Sequence, residues 1–405
     1  MKFFKQFVHR LVIQVFGPVF KWIEKRSWFV KFILLNIILI VTGLLFMLRM
    51  YPNEVKAAAR SGKYYCRAFL GPRTGAIPLT NLQRQELHRD INGIVQLLKS
   101  ETMVTNHLNA WSIGQILAAL PDTNGVDVLR LTEEAKKYLV PASFGYKQSL
   151  LDNFPQIQVS AWLAYGYGTI GKPIGIGDLD FLLNNQDSQG DNSGWWPFYP
   201  CLERHPENAS TYVTAWCVLA LEEQMSRGLI SPDQTNRVET IINNGEVWLR
   251  EGKVTGRARW YDYPQAPLFG EKMESLSSSA LVLHTLHILD SRGERNDFRE
   301  LDSEWMAGLP NEVPSPAYKE VSGVAVQSSA NIRRVDAIRQ YVLPAEIIVT
   351  VDAYKNANFI QKAHALRWID QLIDRLPEFQ NNIQGAYWIS AELLIGLRYM
   401  DSGTS

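Results

Sequence analysis

The residues of this 405-residue chain best placed to do chemistry are aromatic, and they recur. Trp195 and Trp196 end a polar loop, and the pattern Trp196-x-x-Tyr199-Pro200 returns as Trp260-x-x-Tyr263-Pro264, 64 residues later. An Ala-Trp pair opens apolar runs at Ala110-Trp111, Ala161-Trp162 and Ala215-Trp216, 51 and 54 residues apart, with Ala280-Leu281 as a fourth copy. An aromatic face attracts cations and stacks on sugars. Trp111, Trp162, Trp195, Trp196, Tyr199, Trp216 and Trp260 are therefore the candidate ligand-binding residues, with Tyr165 and Tyr167 beside them. A tryptophan at a repeated position also serves as a wedge between packed elements, so both readings stand at this point.

Carboxylates lie near the same aromatics. Asp187, Asp191, Asp262, Glu271 and Glu274 flank the loops that carry Trp195, Trp196 and Trp260, and a pair of them across an aromatic cleft is the apparatus of glycoside cleavage. Cys201-x-x-x-His205 and His284-x-x-His287 have the residue types but not the setting of a zinc site, so no metal is expected. No P-loop, no Gly-x-Gly-x-x-Gly after a strand and no Gly-x-Ser-x-Gly elbow occurs. Nucleotide and serine-hydrolase chemistry are set aside, and no cofactor is expected.

The elements that must position these residues read as helical hairpins. Glu86–Lys99 pairs with Asn109–Leu120, Glu133–Val140 with Gln158–Ile170, the helix ending in Phe181-Leu182-Leu183 with a helix opening near Ser210, Asn236–Arg250 with Ser275–Asp290, and Ile360–Leu376 with Ala386–Met400. Between 291 and 356 the pattern weakens: VSGVAVQSS and AEIIVTVDAY read as short strands and Asn331–Tyr341 as a helix, in an insertion or a degraded sixth repeat. Self-similarity at this period marks units that cannot bury their apolar faces alone.

Phe181-Leu182, then Gln186, a polar loop and Gly194-Trp195 resemble the QW repeat of the squalene-hopene cyclase and protein prenyltransferase superfamily, with seven residues between Gln186 and Gly194 where that family has fewer. The resemblance implies an all-α fold, an (α/α) toroid of five to six hairpins over roughly 82–400, with an aromatic-lined axial cavity. It also implies a proton donor at an Asp-rich motif. Asp178-Leu179-Asp180-Phe181 supplies two of its three carboxylates, making Asp178 and Asp180 the catalytic candidates.

Composition fixes the setting. Forty-one basic and 41 acidic residues give no net charge, so no nucleic-acid partner is expected. Phe32–Leu48 is 17 residues without a charge, which Trp28–Lys31 extends to spanning length. Residues 28–48 thus read as a retained transmembrane anchor, 1–27 as a basic amphipathic segment in the membrane interface, and 49–81 as a connector. Seven basic residues precede the span and six follow it within 25 residues, a bare excess that reads as N-inside. The expectation is a single-pass protein of the cell membrane with its helical body outside the cytoplasm. Its partners would be the bilayer, an isoprenoid or glycan ligand, or a membrane protein. The three function classes are a binding module, an isoprenoid cyclase or transferase, and a glycan-active toroid.

Overall fold

The computed structural model describes residues 62–69, 76–103, 108–151, 154–188, 193–200, 206–264, 274–291, 298–311, 313, 320–327, 333–339, 344–381 and 387–403. The segments read as an interfacial helix and a membrane span, at 1–27 and 28–48, lie outside them. Among the described residues no helix is long and apolar enough to cross a membrane. The chain divides into two units, Met1–Cys66 and Arg67–Ser405. Of the first only 62–66 are described, as the start of a helix that runs to 69.

The second unit is predominantly helical. Its helices follow in the order α1 (Asn81–Thr102), α2 (Ala110–Ala119), α3 (Val128–Lys136), α4 (Ile157–Thr169), α5 (Ile176–Asn184), α6 (Thr211–Ser226), α7 (Pro232–Glu251), α8 (Leu276–Asp290), α9 (Phe298–Ala307), α10 (Pro344–Asn356), α11 (Phe359–Asn381) and α12 (Tyr387–Ser402). Asn109, Ser210 and Ser275 cap α2, α6 and α8, each accepting from a backbone N–H one turn in. Three short antiparallel pairs accompany them: β1 (Leu139–Val140) with β2 (Gly145–Tyr146), β3 (Trp260–Tyr261) with β4 (Glu274–Ser275), and β5 (Glu320–Gln327) with β6 (Arg333–Arg339).

Odd- and even-numbered helices differ in kind. Helix α1 buries one stripe (Leu87, Ile94, Leu98), as an amphipathic helix does against a core. Helix α2 is buried at all ten positions, and α4, α6, α8 and α10 nearly so. A helix apolar all round has neighbours all round. Those neighbours are other even-numbered helices: α2 packs on α4, α4 on α6, α6 on α8, α8 on α10, α10 on α12, and α12 returns to α2. Side chains support the return, since Trp111 stacks on Trp388 with centroids 5.3 Å apart, Gln115 donates to Glu392, and Arg398 donates to the Ala119 carbonyl.

The 291–356 region corrects two expectations. AEIIVTVDAY, rich in β-branched residues, lies in helix α10, where burial on every side overrides intrinsic strand preference. Residues 333–339, expected to be helical, are strand β6, paired with β5 across seven residue partners. Helices α9 and α10 flank the β5–β6 hairpin in the chain.

Candidate functional site

The elbow tryptophans are built into the hairpins. Trp196 is 0% and Trp260 1% exposed. The Trp196 indole donates to the Leu182 carbonyl at 2.8 Å and the Trp260 indole to the Leu249 carbonyl at 2.6 Å, each satisfying an orphan oxygen in the last turn of the preceding helix. The backbone N–H of each donates to a hydroxyl on the next inner helix, Thr214 at 3.0 Å and Ser279 at 2.9 Å. Tyr146 makes the same bond to Ser160 at 3.0 Å, which identifies an earlier copy of the elbow that carries tyrosine instead of tryptophan. Gln186 donates to the carbonyls of Gly194 and Ile241, so the Gln and Trp of the QW-like stretch tie loop to helix. Trp195 is buried at 1% exposure, while Tyr199 is half-buried within 3.4 Å of the Gln156 amide.

The carboxylates named from sequence are not gathered into one place. Asp180 lies on α5, half open to solvent and paired with Arg237 at 2.7 Å. Asp178 accepts from Tyr146 at 3.3 Å, and burial lifts its carboxyl above the usual range against the lowering effect of that bond and of the Gly175 backbone. Asp262 accepts from Ser278 at 2.8 Å, Glu274 pairs with Arg257 at 3.0 Å, and Asp187 is buried in the elbow loop with its backbone bonded to Trp195 and Gly194. Asp191, Cys201, His205 and Glu271 lie outside the described residues. Among the described residues no three His, Cys, Asp or Glu side chains are arranged to hold a metal ion.

The Ala-Trp residues, by contrast, converge. Trp162 on α4 and Trp216 on α6 have centroids 3.7 Å apart, and Tyr165 meets both edge-on at 6.0 and 5.6 Å. Tyr212 meets Trp216 at 6.4 Å. Tyr167 points elsewhere, under the Lys172 ammonium. On these two helices the side-chain nitrogens of Gln158, Trp162 and Trp216 are buried with no acceptor among the described residues. An unmet buried donor costs about 1–3 kcal/mol; the Trp195 and Trp368 indoles elsewhere are likewise without an acceptor among the described residues.

A second signal is spread over the inner helices. Positions with partial exposure recur at helical spacing on helices otherwise buried: Tyr165 and Thr169 on α4, His284 and Ile288 on α8, Trp388, Ile395 and Tyr399 on α12. Tyr165 and His284 keep accessible surface yet are desolvated strongly. Burial pushes the Tyr165 phenol up, with Glu223 adding to the rise, and holds the His284 imidazole down at about 4, with His287 adding to the fall and Asp352 opposing it. Asp352, the ninth residue of α10 as His284 is of α8, accepts from the Tyr399 hydroxyl at 2.7 Å and from Lys355 at 2.8 Å. His287 pairs instead with Asp302 at 3.0 Å.

Sequence reasoning found the aromatic half of this arrangement through the Ala-Trp repeat. It weighed His284 only as half of a metal pair and missed Gln158, Asp352 and Tyr399. The available signal was a polar residue at every third or fourth position of an apolar inner helix. Comparison with protein-family models, with curated proteins and with solved structures gives no match to any of them.

Proposed function

We propose that residues 82–400 form an (α/α) toroid of six hairpins, and that its inner helices enclose a site for an apolar ligand bearing an acceptor oxygen. On this reading the protein is a membrane-anchored binding module, and an isoprenoid or similar bilayer lipid is the ligand class. The cyclic packing order from α2 round to α12 and back supports the toroid. The observation that carries the site is the set of unmet buried donors of Gln158, Trp162 and Trp216 beside Tyr165 and Tyr212. Trp162 and Trp216, at 0% and 2% exposure, are covered in this structure, so a ligand would reach their N–H groups only past the partly exposed Tyr165.

Binding is favoured over turnover by where the acids lie. Asp180, half exposed and ion-paired, is a poor proton donor, and Asp178 sits with it on an outer helix. The elbow tryptophans, at 0–1% exposure, offer no open face to a sugar. A cyclase or transferase reading retains one support, the carboxyls of Glu346 and Glu392 buried on the inner helices.

Native mass spectrometry of the detergent-purified protein, followed by extraction, tests the proposal. A retained lipid that is lost in Trp216→Phe and Gln158→Leu while both variants keep their thermal midpoint supports it. An empty protein, or one that retains only a polypeptide, overturns it in favour of scaffolding. Conversion of the extracted lipid by the purified protein, abolished in Glu392→Gln, moves the assignment to an enzyme.

A further inference from the structure

We infer that His284, Asp352 and Tyr399, on α8, α10 and α12, receive the polar head of the ligand, and that they admit an uncharged hydroxyl while turning away a phosphate. The inference rests on the interior-ligand reading above and names the ligand within it. Helix α8 packs on α10 and α10 on α12. On each of these largely buried helices the named residue keeps partial exposure beside a buried neighbour, Leu283, Val351 or Met400.

Tyr399 fixes the carboxylate. Its hydroxyl donates to Asp352, 2.7 Å from Oδ1 and 2.8 Å from Oδ2. Lys355 donates to Oδ1 at 2.8 Å, so Oδ2 keeps acceptor capacity on a side chain that is 20% exposed. His284 lies within electrostatic reach of that carboxylate and makes no hydrogen bond among the described residues. Burial holds its ring down at about 4, so at neutral pH the imidazole is uncharged and offers one N–H and one acceptor nitrogen. A hydroxyl set between the two groups donates to Asp352 Oδ2 and accepts from the His284 N–H. A phosphate oxygen without a proton can use only the second of these bonds, and it meets the carboxylate as like charge.

Charge on the three helices points the same way. They carry five carboxylates (Asp290, Glu346, Asp352, Glu392, Asp401) and two cations (Lys355, Arg398). Lys355 is held by Asp352, and Arg398 donates to the Ala119 carbonyl. Phosphate recognition draws on charge-assisted donors, and both of these are engaged.

Farnesol and farnesyl diphosphate share one apolar tail and differ only in the head. Each is titrated into the full chain in the same detergent and followed by tryptophan fluorescence and native mass spectrometry. Farnesol should bind roughly tenfold or more tightly than the diphosphate. His284→Leu, with its thermal midpoint kept, should weaken farnesol by about tenfold. Asp352→Asn removes the charge, releases Lys355 and keeps an oxygen for Tyr399, and it should raise affinity for the diphosphate by about tenfold. That gain and the preference of the unmodified chain are read without His284→Leu, should that variant fail to fold. Diphosphate bound as tightly as farnesol, or more tightly, overturns the inference and leaves the interior site standing. Farnesol affinity unchanged in His284→Leu, or diphosphate affinity unmoved by Asp352→Asn, overturns the assignment of the head to these residues. Binding of neither probe overturns the interior-ligand reading and this inference with it.

Discussion

Two kinds of tryptophan recur along this chain, and substitution should separate them. The Trp260 indole meets the Leu249 carbonyl at 2.6 Å and is 1% exposed. Trp260→Phe leaves that carbonyl unpaired and a small void, which should cost about 2–4 kcal/mol, read as a lower urea midpoint with unchanged slope. Trp216, 2% exposed, has a buried N–H with no acceptor among the described residues, so Trp216→Phe opens a comparable void but strands no partner and should cost about 1–2 kcal/mol, less than Trp260→Phe, with its loss showing in ligand retention. Equal destabilisation of the two variants would make both wedges. His284 gives a pH prediction. Its folded pKa of about 4 lies below the ordinary 6.5, so between these values the unfolded chain binds a proton the folded chain refuses. The stability due to the neutral imidazole is complete above about pH 6.5 and falls away toward pH 4. Discounted for the ring's remaining solvent contact, the loss is about 1–3 kcal/mol. His284→Gln should flatten that limb of the stability–pH curve, and an unchanged limb would place the proton elsewhere.

At the scale of elements, α2 and α4 approach so closely that only glycine fits. A Cβ on Gly114 would lie 2.6 Å from the Trp162 carbonyl oxygen, and one on Gly166 would lie 2.3 Å from the Gly114 carbonyl oxygen. Gly114→Ala and Gly166→Ala should each lower stability by about 2–4 kcal/mol despite alanine's better helix propensity. Because both push the same two helices apart, the double variant should cost less than the sum, which a denaturation cycle measures. This crossing shows why only part of the fold was legible. Helices such as α1 announce themselves by a stripe and the fully buried ones by Ala-Trp, so helices of both kinds could be placed from spacing alone. Helix α10 has no stripe because it is buried on all sides, and its Ile, Val and Thr residues read as strand. Nothing local to Gly114 indicates that Gly166, 52 residues on, will meet it. The site was legible to the same degree: Trp162 and Trp216 through their repeat, but not Asp352 or Tyr399, whose meeting depends on how α10 lies on α12.

For the molecule as a whole, the question is whether the two ends of the helical body form one cooperative unit. Helix α12 is the last, yet it packs on α1 and α2, the first pair, as well as on α10. Gln115 and Glu392, both 0% exposed, bond across that seam although 277 residues separate them. Glu392→Leu strands the Gln115 amide in a desolvated place and should cost about 2–4 kcal/mol, while Gln115→Leu together with Glu392→Leu should recover part of it, since an apolar pair leaves no unmet donor. In the proposed toroid every inner helix has two inner neighbours, so loosening the α12–α2 seam should lower a single unfolding transition followed alike by circular dichroism and tryptophan fluorescence. In an open array of stacked hairpins the terminal pair would fray first. Hydrogen exchange would then show α12 opening alone in Glu392→Leu while α4 and α6 kept their protection, because a linear array passes a loss only to its nearest neighbour. Uniform loss of protection across the inner helices is the outcome that closure requires.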